Sequence, residues 1–253
     1  MKENKIKQRL NAKQACYGVI SPTIDPTICE YIGLSGLDFY MIDGEHGAIS
    51  VSDITNMVRA CENVGCTPMA RVGDLNDKLI LQYLDAGVMG IMMPGVNTVK
   101  ECEKLVAAMK YPPLGNRGLG PVRSANYMMK MAQVEYVKFA NNNVLVLPQI
   151  EDIAALKNLK KMANTEGVDG FIIGPRDLAM TMGFYDGPAH PEVNKVIDEI
   201  IATVLDAGKI IGTVAGTAEQ AKALTDKGVT IILNSVQGLI ATSAKGFIKD
   251  RIV

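Results

Sequence analysis

Residues 144–151, VLVLPQIE, form an apolar run that ends in polar residues. The run is too short and too β-branched for a membrane span or a long helix, so it predicts a buried strand with Gln149 and Glu151 at its carboxyl end. A similar run, residues 170–175 (GFIIGP), is followed by Asp177. The 25 residues between Glu151 and Asp177 have a helical pattern and the length of one crossover between parallel strands. Neighbouring strands lie about 4.8 Å apart, so the two carboxylates are expected to meet on one divalent cation.

The alternation of strand and helix continues along the whole chain. Eight strands, each followed by a helix, predict a single-domain (β/α)8 TIM barrel over residues 1–253. Residues 1–12 are expected to form a polar arm or a short covering helix. An extra loop at 111–121, rich in proline and glycine, and a helix at about 125–140 separate strands four and five. A doubly wound open sheet is the alternative fold, but no GxGxxG motif opens a helix after strand one. The strands are predicted at 15–21, 39–42, 67–72, 88–94, 144–150, 170–175, 209–215 and 230–234.

The composition is that of a soluble globular protein with a sizeable core. The chain has 253 residues, of which 48% are hydrophobic and 21% charged, and its net charge is -1. A charge near zero provides no basic field for nucleic acid or an anionic membrane. The polar amino-terminal stretch has no apolar signal core, and no apolar span reaches 18 residues, so we expect a cytoplasmic protein. Five cysteines without a CxxC pair predict reduced core thiols rather than a disulfide framework.

Two histidines are available for acid–base chemistry. His46 follows strand two, where the active sites of such barrels lie, and it is flanked by Asp43 and Glu45. A histidine tuned by a carboxylate is a good general base near neutral pH, whereas a lone loop histidine is often an incidental surface residue. His190 precedes a proline at a predicted helix start and is expected to have no catalytic role.

Charged residues at other strand ends admit two interpretations each. Arg71 ends strand three and is either solvated or aimed at a carboxylate or a developing enolate oxygen. Glu151 and Asp177 could each be an ordinary acid at a helix N-terminus. Their occurrence after adjacent strands, with Gln149 alongside, instead favours a site for Mg²⁺ or Mn²⁺, with Co²⁺ as a further candidate.

Residues 174–178, GPRDL, place backbone N–H groups at the start of a helix. Gly174, Pro175 and Arg176 therefore predict a seat for a substrate carboxylate, while the side chain of Arg176 is equally expected to point into solvent. Asp85 ends a helix on the opposite face of the predicted barrel. It would reach an active site by a bend or from a neighbouring subunit, or else be a surface acid.

Six segments occur in an order that is typical of one enzyme family. They are IDGEHG (42–47), ARV (70–72), LDAG (84–87), YPPLGNRGLGP (111–121), LPQIE (147–151) and GPRDL (174–178). Together they resemble the HpcH/HpaI family, the metal-dependent class II pyruvate aldolases that include 4-hydroxy-2-oxoheptanedioate and 2-dehydro-3-deoxyglucarate aldolases. The chain departs from the family after strand eight, where residues 234–237 (NSVQ) replace a GxD-type turn. The resemblance therefore does not define the aldehyde side of the pocket.

The resemblance implies a set of catalytic residues. His46 would be the base, and Arg71 would polarise the keto oxygen and stabilise the enolate. Asp85 would reach the histidine of an adjacent subunit and raise its basicity, in an enzyme that is usually a hexamer. The resemblance also implies a metal site and a pyruvate site. The metal ligands would be Glu151 and Asp177, and the pyruvate contacts would be Gln149 and the backbone of Gly174, Pro175 and Arg176.

The implied reaction is reversible cleavage of a 4-hydroxy-2-oxo acid to pyruvate and an aldehyde through a metal-stabilised pyruvate enolate. Two alternatives remain: an acyl-CoA lyase on a related barrel, similar to citrate or malyl-CoA lyase, and a non-catalytic barrel subunit. A Schiff-base aldolase would need a lysine inside a strand near the mouth of the barrel. The predicted strands carry none there, since Lys209 starts its strand at the far end.

Overall fold

Eight parallel strands close into a barrel in the computed structural model, which describes residues 2–249. Each strand pairs with the next along the chain, and the last pairs with the first. The predicted (β/α)8 barrel is therefore confirmed. The strands are β1 (Cys16–Ser21), β2 (Phe39–Asp43), β3 (Thr67–Arg71), β4 (Gly90–Met93), β5 (Leu145–Ile150), β6 (Gly170–Ile173), β7 (Ile210–Val214) and β8 (Ile231–Ser235).

Helices cover the outside of the barrel, and several begin and end at residues with strong capping preferences. Asp25 caps α2 through its side chain, with Pro26 in the first turn. Gly87 ends α4 in the left-handed conformation, with φ 112°. The helices are α1 (Lys5–Asn11), α2 (Pro26–Leu34), α3 (Val51–Val64), α4 (Asp77–Ala86), α5 (Val99–Met109), α6 (Gln133–Asn143), α7 (Ile153–Leu156), α8 (Leu159–Ala163), α9 (Pro175–Thr181), α10 (Pro191–Asp206), α11 (Ala218–Asp226) and α12 (Val236–Phe247).

The interior of the barrel is filled by side chains from alternate strand positions, as the two-residue period of a strand requires. Gly18 leaves room for its neighbour, because a Cβ at this position would lie 2.4 Å from the Phe39 ring. A larger apolar core lies between the sheet and the helices. The interior side chains include Cys16, Phe39, Met41, Met69, Met92, Leu145, Leu147, Ile172, Ile231 and Leu233.

Helix α1 closes the floor of the barrel, at the amino ends of the strands. Ile6 is fully buried against the interior side chains. Asn4 donates two side-chain hydrogen bonds, to the carbonyl oxygens of Met89 and Asn143, each at 2.9 Å. Its own backbone N–H donates to Asn143 Oδ1 at 2.8 Å. Of the two predicted forms for residues 1–12, the covering helix is therefore correct.

The segment between β4 and β5 differs from the prediction. The helix expected at 125–140 begins only at Gln133. A 3₁₀ segment precedes it, over Arg123–Met128. Arg123 donates to the carbonyl oxygen of Ala86 at 2.9 Å and pairs with Glu62, which holds this segment against the ends of α3 and α4. Three consecutive residues there have left-handed φ angles of 49°, 55° and 59°: Asn126, Tyr127 and Met128.

The helix predicted at 152–163 is also interrupted. It consists of two short helices, α7 and α8, with Asn158 as the N-cap residue of the second. The five cysteines are buried and free, as expected for core thiols. Among residues 2–249, no helix combines the length and the apolar character needed to cross a membrane.

Helix α12 extends away from the barrel. Val236 is its one buried residue, and residues 239–249 are all exposed. Ile240 is 58% exposed and Phe247 is 91% exposed. An isolated helix of this length is only marginally stable in water, so its apolar face needs a partner surface.

Candidate active site

Three polar side chains project into the mouth of the barrel at the carboxyl ends of the strands. Asp43, Arg71 and Gln149 each lie two positions beyond an interior residue of the same strand, so they point to the same side. All three are at least 90% buried. Interior positions of a barrel are normally apolar, which marks these three as functional candidates.

Arg71 is fixed by a bidentate ion pair. Its Nε donates to Asp43 Oδ1 at 2.8 Å, and its Nη2 donates to Asp43 Oδ2 at 2.6 Å. The two residues are register partners on adjacent strands, which brings them side by side. Glu45 lies on the other side of the guanidinium, with Oε2 3.0 Å from Nη1. The guanidinium is therefore held in one orientation with a carboxylate on each side.

The electrostatics keep this pair charged. Burial would raise the pKa of Asp43, but the Arg71 guanidinium and the backbone N–H groups of His46 and Glu45 outweigh it and lower the pKa below its usual value. Burial would lower the pKa of Arg71, and the surrounding carboxylates raise it instead. The mouth therefore contains a permanent positive charge next to a permanent negative one.

Glu151 and Asp177 leave the carboxyl ends of two adjacent parallel strands, as predicted. Glu151 Oε1 accepts a hydrogen bond from the Gly95 backbone N–H at 2.8 Å, and Oε2 accepts one from the Gln149 side chain. Asp177 lies in the first turn of α9 and is exposed. Burial raises the pKa of Glu151, and the nearby negative charges of Glu45 and Asp177 raise it further. Negative charge is thus in excess at this side of the mouth.

The donor set fits a hard divalent cation. Glu151 and Asp177 offer carboxylate oxygens, the ligands that Mg²⁺ and Mn²⁺ prefer. Gln149 Oε1 is buried and accepts no hydrogen bond within the described residues. Residues 2–249 contain no group of three or more His, Cys, Asp or Glu side chains arranged to hold an ion. The protein would therefore supply two carboxylates, and substrate and water the remaining ligands.

His46 lies on the exposed loop after β2, at the rim of the mouth. Its backbone N–H donates to Asp43 Oδ1 at 3.3 Å. Asp43 and Glu45, the two carboxylates expected beside the imidazole, both pair with Arg71.

The predicted carboxylate seat at Gly174, Pro175 and Arg176 is smaller than expected. The Gly174 N–H already donates to the Ile150 carbonyl oxygen at 2.9 Å, and proline has no N–H. The seat is therefore reduced to the N–H groups of Arg176 and Asp177 in the first turn of α9. The Arg176 side chain is exposed. Gly174 has a steric role instead, because a Cβ there would lie 2.5 Å from Gln149 Nε2.

Asp85 lies on the floor side of the barrel, at the end of α4. Arg117 Nη2 donates to Asp85 Oδ1 at 2.9 Å. Burial raises the pKa of Asp85, and Arg117 opposes the rise. The structure therefore does not bring Asp85 to the mouth of its own barrel.

His190 and the lysines lie outside the mouth of the barrel. His190 caps α10, with Nδ1 accepting from the Glu192 N–H at 3.2 Å, and it stacks on Phe184 at 3.9 Å between ring centroids. None of the eight strands given above contains a lysine. The buried Lys110 donates to two backbone carbonyl oxygens, those of Asn141 and Val144, near the floor.

Three site features were missed by the sequence analysis. Asp43 orients Arg71, which the register of β2 against β3 would have indicated. The Gly95 N–H fixes Glu151, and no sequence signal marks this glycine beyond its position after β4. Tyr83 also lies against the loop, since a Cβ on Gly44 would lie 2.2 Å from its hydroxyl.

Comparisons with known proteins show which family the chain is similar to. The family described as HpcH/HpaI aldolase/citrate lyase matches residues 17–244. A hydroxypyruvate/pyruvate aldolase from Cupriavidus necator is 32% identical over 95% of this chain and 89% of its own length. A 5-keto-4-deoxy-D-glucarate aldolase from Escherichia coli O139:H28 is 34% identical over 90% of this chain and 89% of its own length. The crystal structure of an HpcH/HpaI aldolase from Desulfitobacterium hafniense has a TM-score of 0.90 and 27% identity, covering 98% of this chain and 96% of that one.

Proposed function

The chain belongs to the HpcH/HpaI aldolase/citrate lyase family, and we propose that it is a carbon–carbon lyase that reversibly cleaves a 4-hydroxy-2-oxo acid to pyruvate and an aldehyde. One observation carries the proposal: the buried Arg71–Asp43 pair faces Glu151, whose pKa is raised in part by Asp177. A fixed cation beside unneutralised carboxylates suits an anionic oxo acid with a metal ion.

Glu151 and Asp177 would hold the divalent cation, Mg²⁺ or Mn²⁺ with Co²⁺ as a further candidate. When bound, the cation would polarise the carboxylate and keto oxygens of the 2-oxo acid. Gln149 supports this assignment because its Nε2 orients Glu151 and its Oε1 has no hydrogen-bond partner among residues 2–249. The N–H groups in the first turn of α9 would receive the substrate carboxylate.

Arg71 would stabilise the enolate that forms when the bond between C3 and C4 breaks. The electron pair of that bond becomes the double bond between C2 and C3, and negative charge develops on the keto oxygen. Asp43 and Glu45 fix the guanidinium on two sides, so little reorganisation is needed as the charge appears. Removing one such donor typically costs about 3–4 kcal/mol of transition-state stabilisation.

His46 would transfer the proton. In the cleavage direction the imidazole removes the proton of the 4-hydroxyl, C4 becomes the aldehyde carbonyl, and the proton is then delivered to C3 of the enolate to give pyruvate. The exposed position of His46 at the rim leaves the imidazole accessible to substrate. We propose that Asp85 of an adjacent subunit orients and activates it, because Asp43 and Glu45 both pair with Arg71.

The assembly would be a homo-oligomer, and we propose a hexamer built as a trimer of dimers. Helix α12 leaves its apolar side chains exposed, and α2, the next helix around the barrel, exposes Tyr31 and Leu34 at 65% and 73%. Exposed apolar side chains on two adjacent helices support an interface with a second copy of the chain. Ile240→Asp on α12 should therefore lower the particle mass measured by light scattering, while an unchanged mass would exclude α12 from the interface.

We propose a cytoplasmic location, supported by five free buried cysteines in place of disulfides. The proposed partners are a small 2-oxo acid and an aldehyde. The acyl-CoA lyase and the non-catalytic subunit are the alternatives that the experiment has to separate.

The test combines two assays on the full-length protein. The first measures pyruvate release from a panel of 4-hydroxy-2-oxo acids and cleavage of a panel of acyl-CoA thioesters, with and without EDTA. The second follows exchange of the methyl protons of pyruvate in D₂O by NMR, which requires no knowledge of the aldehyde. Metal-dependent release and exchange are expected. Activity that survives EDTA contradicts the metal mechanism. Turnover of acyl-CoA thioesters alone favours the acyl-CoA lyase. No turnover of either substrate class favours the non-catalytic barrel subunit.

A further inference from the structure

Arg117 is buried in an unusual way. It lies in the loop between α5 and α6, and its side chain has no exposed surface. The guanidinium stacks 4.7 Å above the Tyr111 ring and makes one ion pair, through Nη2 to Asp85 Oδ1 at 2.9 Å. Its Nε and Nη1 atoms are buried without a hydrogen-bond acceptor among residues 2–249.

This arrangement is costly for stability alone. A buried cation whose N–H donors are only partly satisfied loses more solvation than one ion pair restores. Arg123 in the same loop shows the ordinary solution, since it pairs with Glu62 through two nitrogens and also donates to the Ala86 carbonyl oxygen. The comparison suggests that Arg117 is placed for its effect on Asp85 rather than for anchoring the loop.

Arg117 determines which part of Asp85 faces outward. One carboxylate oxygen is taken by the guanidinium, while Oδ2 accepts no hydrogen bond within the described residues. The Asp85 side chain keeps 23% of its surface exposed. The titratable groups that influence Asp85 from the elements packed against it are Arg117 and Tyr111. The carboxylate is therefore held from inside and presents one oxygen to a donor outside the chain.

We propose that Arg117 is a positioning residue, which orients the Asp85 carboxylate toward the imidazole of His46 in a second copy of the chain. The inference rests on the proposed aldolase function. In this arrangement a loop on the floor of one barrel controls proton transfer by His46 in the mouth of a neighbouring barrel. Arg117 contacts neither substrate nor metal, and it acts through Asp85 alone.

The test is proton exchange of pyruvate in D₂O, measured with Mn²⁺ at saturating and limiting pyruvate. Arg117→Ala should lower the maximal exchange rate by about 10–100-fold, the cost found for partners that orient ligand side chains around metals. The apparent KM for pyruvate should stay within about twofold, because the pyruvate contacts are untouched. Free guanidinium ion added at non-denaturing concentration should restore part of the rate by occupying the vacated space.

Arg123→Ala is the matched control, since it removes a buried loop arginine that does not touch Asp85. Its thermal stability should fall, but its exchange rate should not respond specifically to guanidinium. Arg117→Lys provides a second variant that keeps the charge, and it should lie between Arg117→Ala and the wild type. In an Asp85→Asn background, Arg117→Ala should cause no further loss, because the two residues act as one unit.

The possible failures are distinguishable. No exchange and no aldol cleavage by the wild-type protein would refute the proposed function, and this inference with it. Normal wild-type activity, a strong effect of Asp85→Asn and no effect of Arg117→Ala would refute the inference alone. Equal and additive losses for the Arg117 and Arg123 variants would show that both arginines merely hold the loop in place.

Discussion

Replacing Asp43 by asparagine should destabilise the protein and weaken catalysis together. The carboxylate accepts four hydrogen bonds: two from the Arg71 guanidinium, and two from the backbone N–H groups of Glu45 and His46 at 3.2 and 3.3 Å. Asparagine has the same shape but offers one oxygen. In either orientation its NH₂ group would face an N–H of the guanidinium, and in place of Oδ1 it would also face the two backbone donors.

The structure gives the size of the effect. Losing one charge-assisted hydrogen bond costs about 1.5–3 kcal/mol, and leaving Arg71 buried beside a neutral group brings the total to about 3–5 kcal/mol. The two side chains are only 6% and 10% exposed, so solvent screens the pair little. The pKa of Asp43 is lowered in the folded state, so its contribution is present above about pH 4 and is lost as the pH falls through the folded pKa.

Urea unfolding of Asp43→Asn and the wild type at pH 7 and pH 3.5 measures this directly. The free energy of unfolding of Asp43→Asn should be lower than that of the wild type by about 3–5 kcal/mol at pH 7, and by less at pH 3.5. Glu62→Gln is the control, since it weakens a similarly buried pair with Arg123 outside the mouth and should leave pyruvate exchange unchanged. A loss of stability below about 1 kcal/mol at pH 7, or full exchange activity in Asp43→Asn, would show that Arg71 does not depend on its ion pair with Asp43.

Further predictions concern the base, the metal site and the floor. His46→Ala should lower turnover at least about 10²-fold. Its melting temperature should not change, because the side chain is exposed, and the control His190→Ala should turn over at the normal rate. A near-wild-type rate for His46→Ala would show that His46 is not the base. Glu151→Gln should abolish the rise in melting temperature that Mn²⁺ gives the wild type, and an undiminished rise would place the metal elsewhere. Burial lowers the pKa of Lys110 to about 8, so the unfolded chain binds this proton more tightly than the folded protein does. The free energy of unfolding should therefore rise by about 1.4 kcal/mol per pH unit between about pH 8 and 10. Lys110→Met should lose this pH dependence when it is measured by urea unfolding.

The fold could be predicted from sequence because the strands repeat one local pattern. Runs such as VLVLPQIE and GFIIGP are short, apolar and followed by polar residues. The period of their apolar residues and the spacing of the runs placed the ends of most of the eight strands within one or two residues of the observed ends. The stretch 123–132 could not be predicted. Its conformation depends on Arg123 reaching Glu62 and Ala86, contacts that lie 61 and 37 residues away in the chain.

The candidate site was predicted less completely than the fold. The positions of Glu151 and Asp177 follow from the strand ends, since adjacent parallel strands bring their carboxyl ends together. The sequence does not show which charged side chains pair with each other, because pairing depends on the direction in which each side chain points. Asp43 faces Arg71 across the register of two strands rather than its sequence neighbour His46, and Arg117 reaches Asp85 from a loop without regular structure.

The anchoring of α1 constrains the order in which the molecule can be completed. Asn4 is held by Met89 and Asn143, which the ribosome adds much later. During synthesis, α1 therefore has to wait until more than half of the chain has emerged, with the apolar side chain of Ile6 uncovered in the meantime. A segment that is made early therefore docks only after Asn143 has been made.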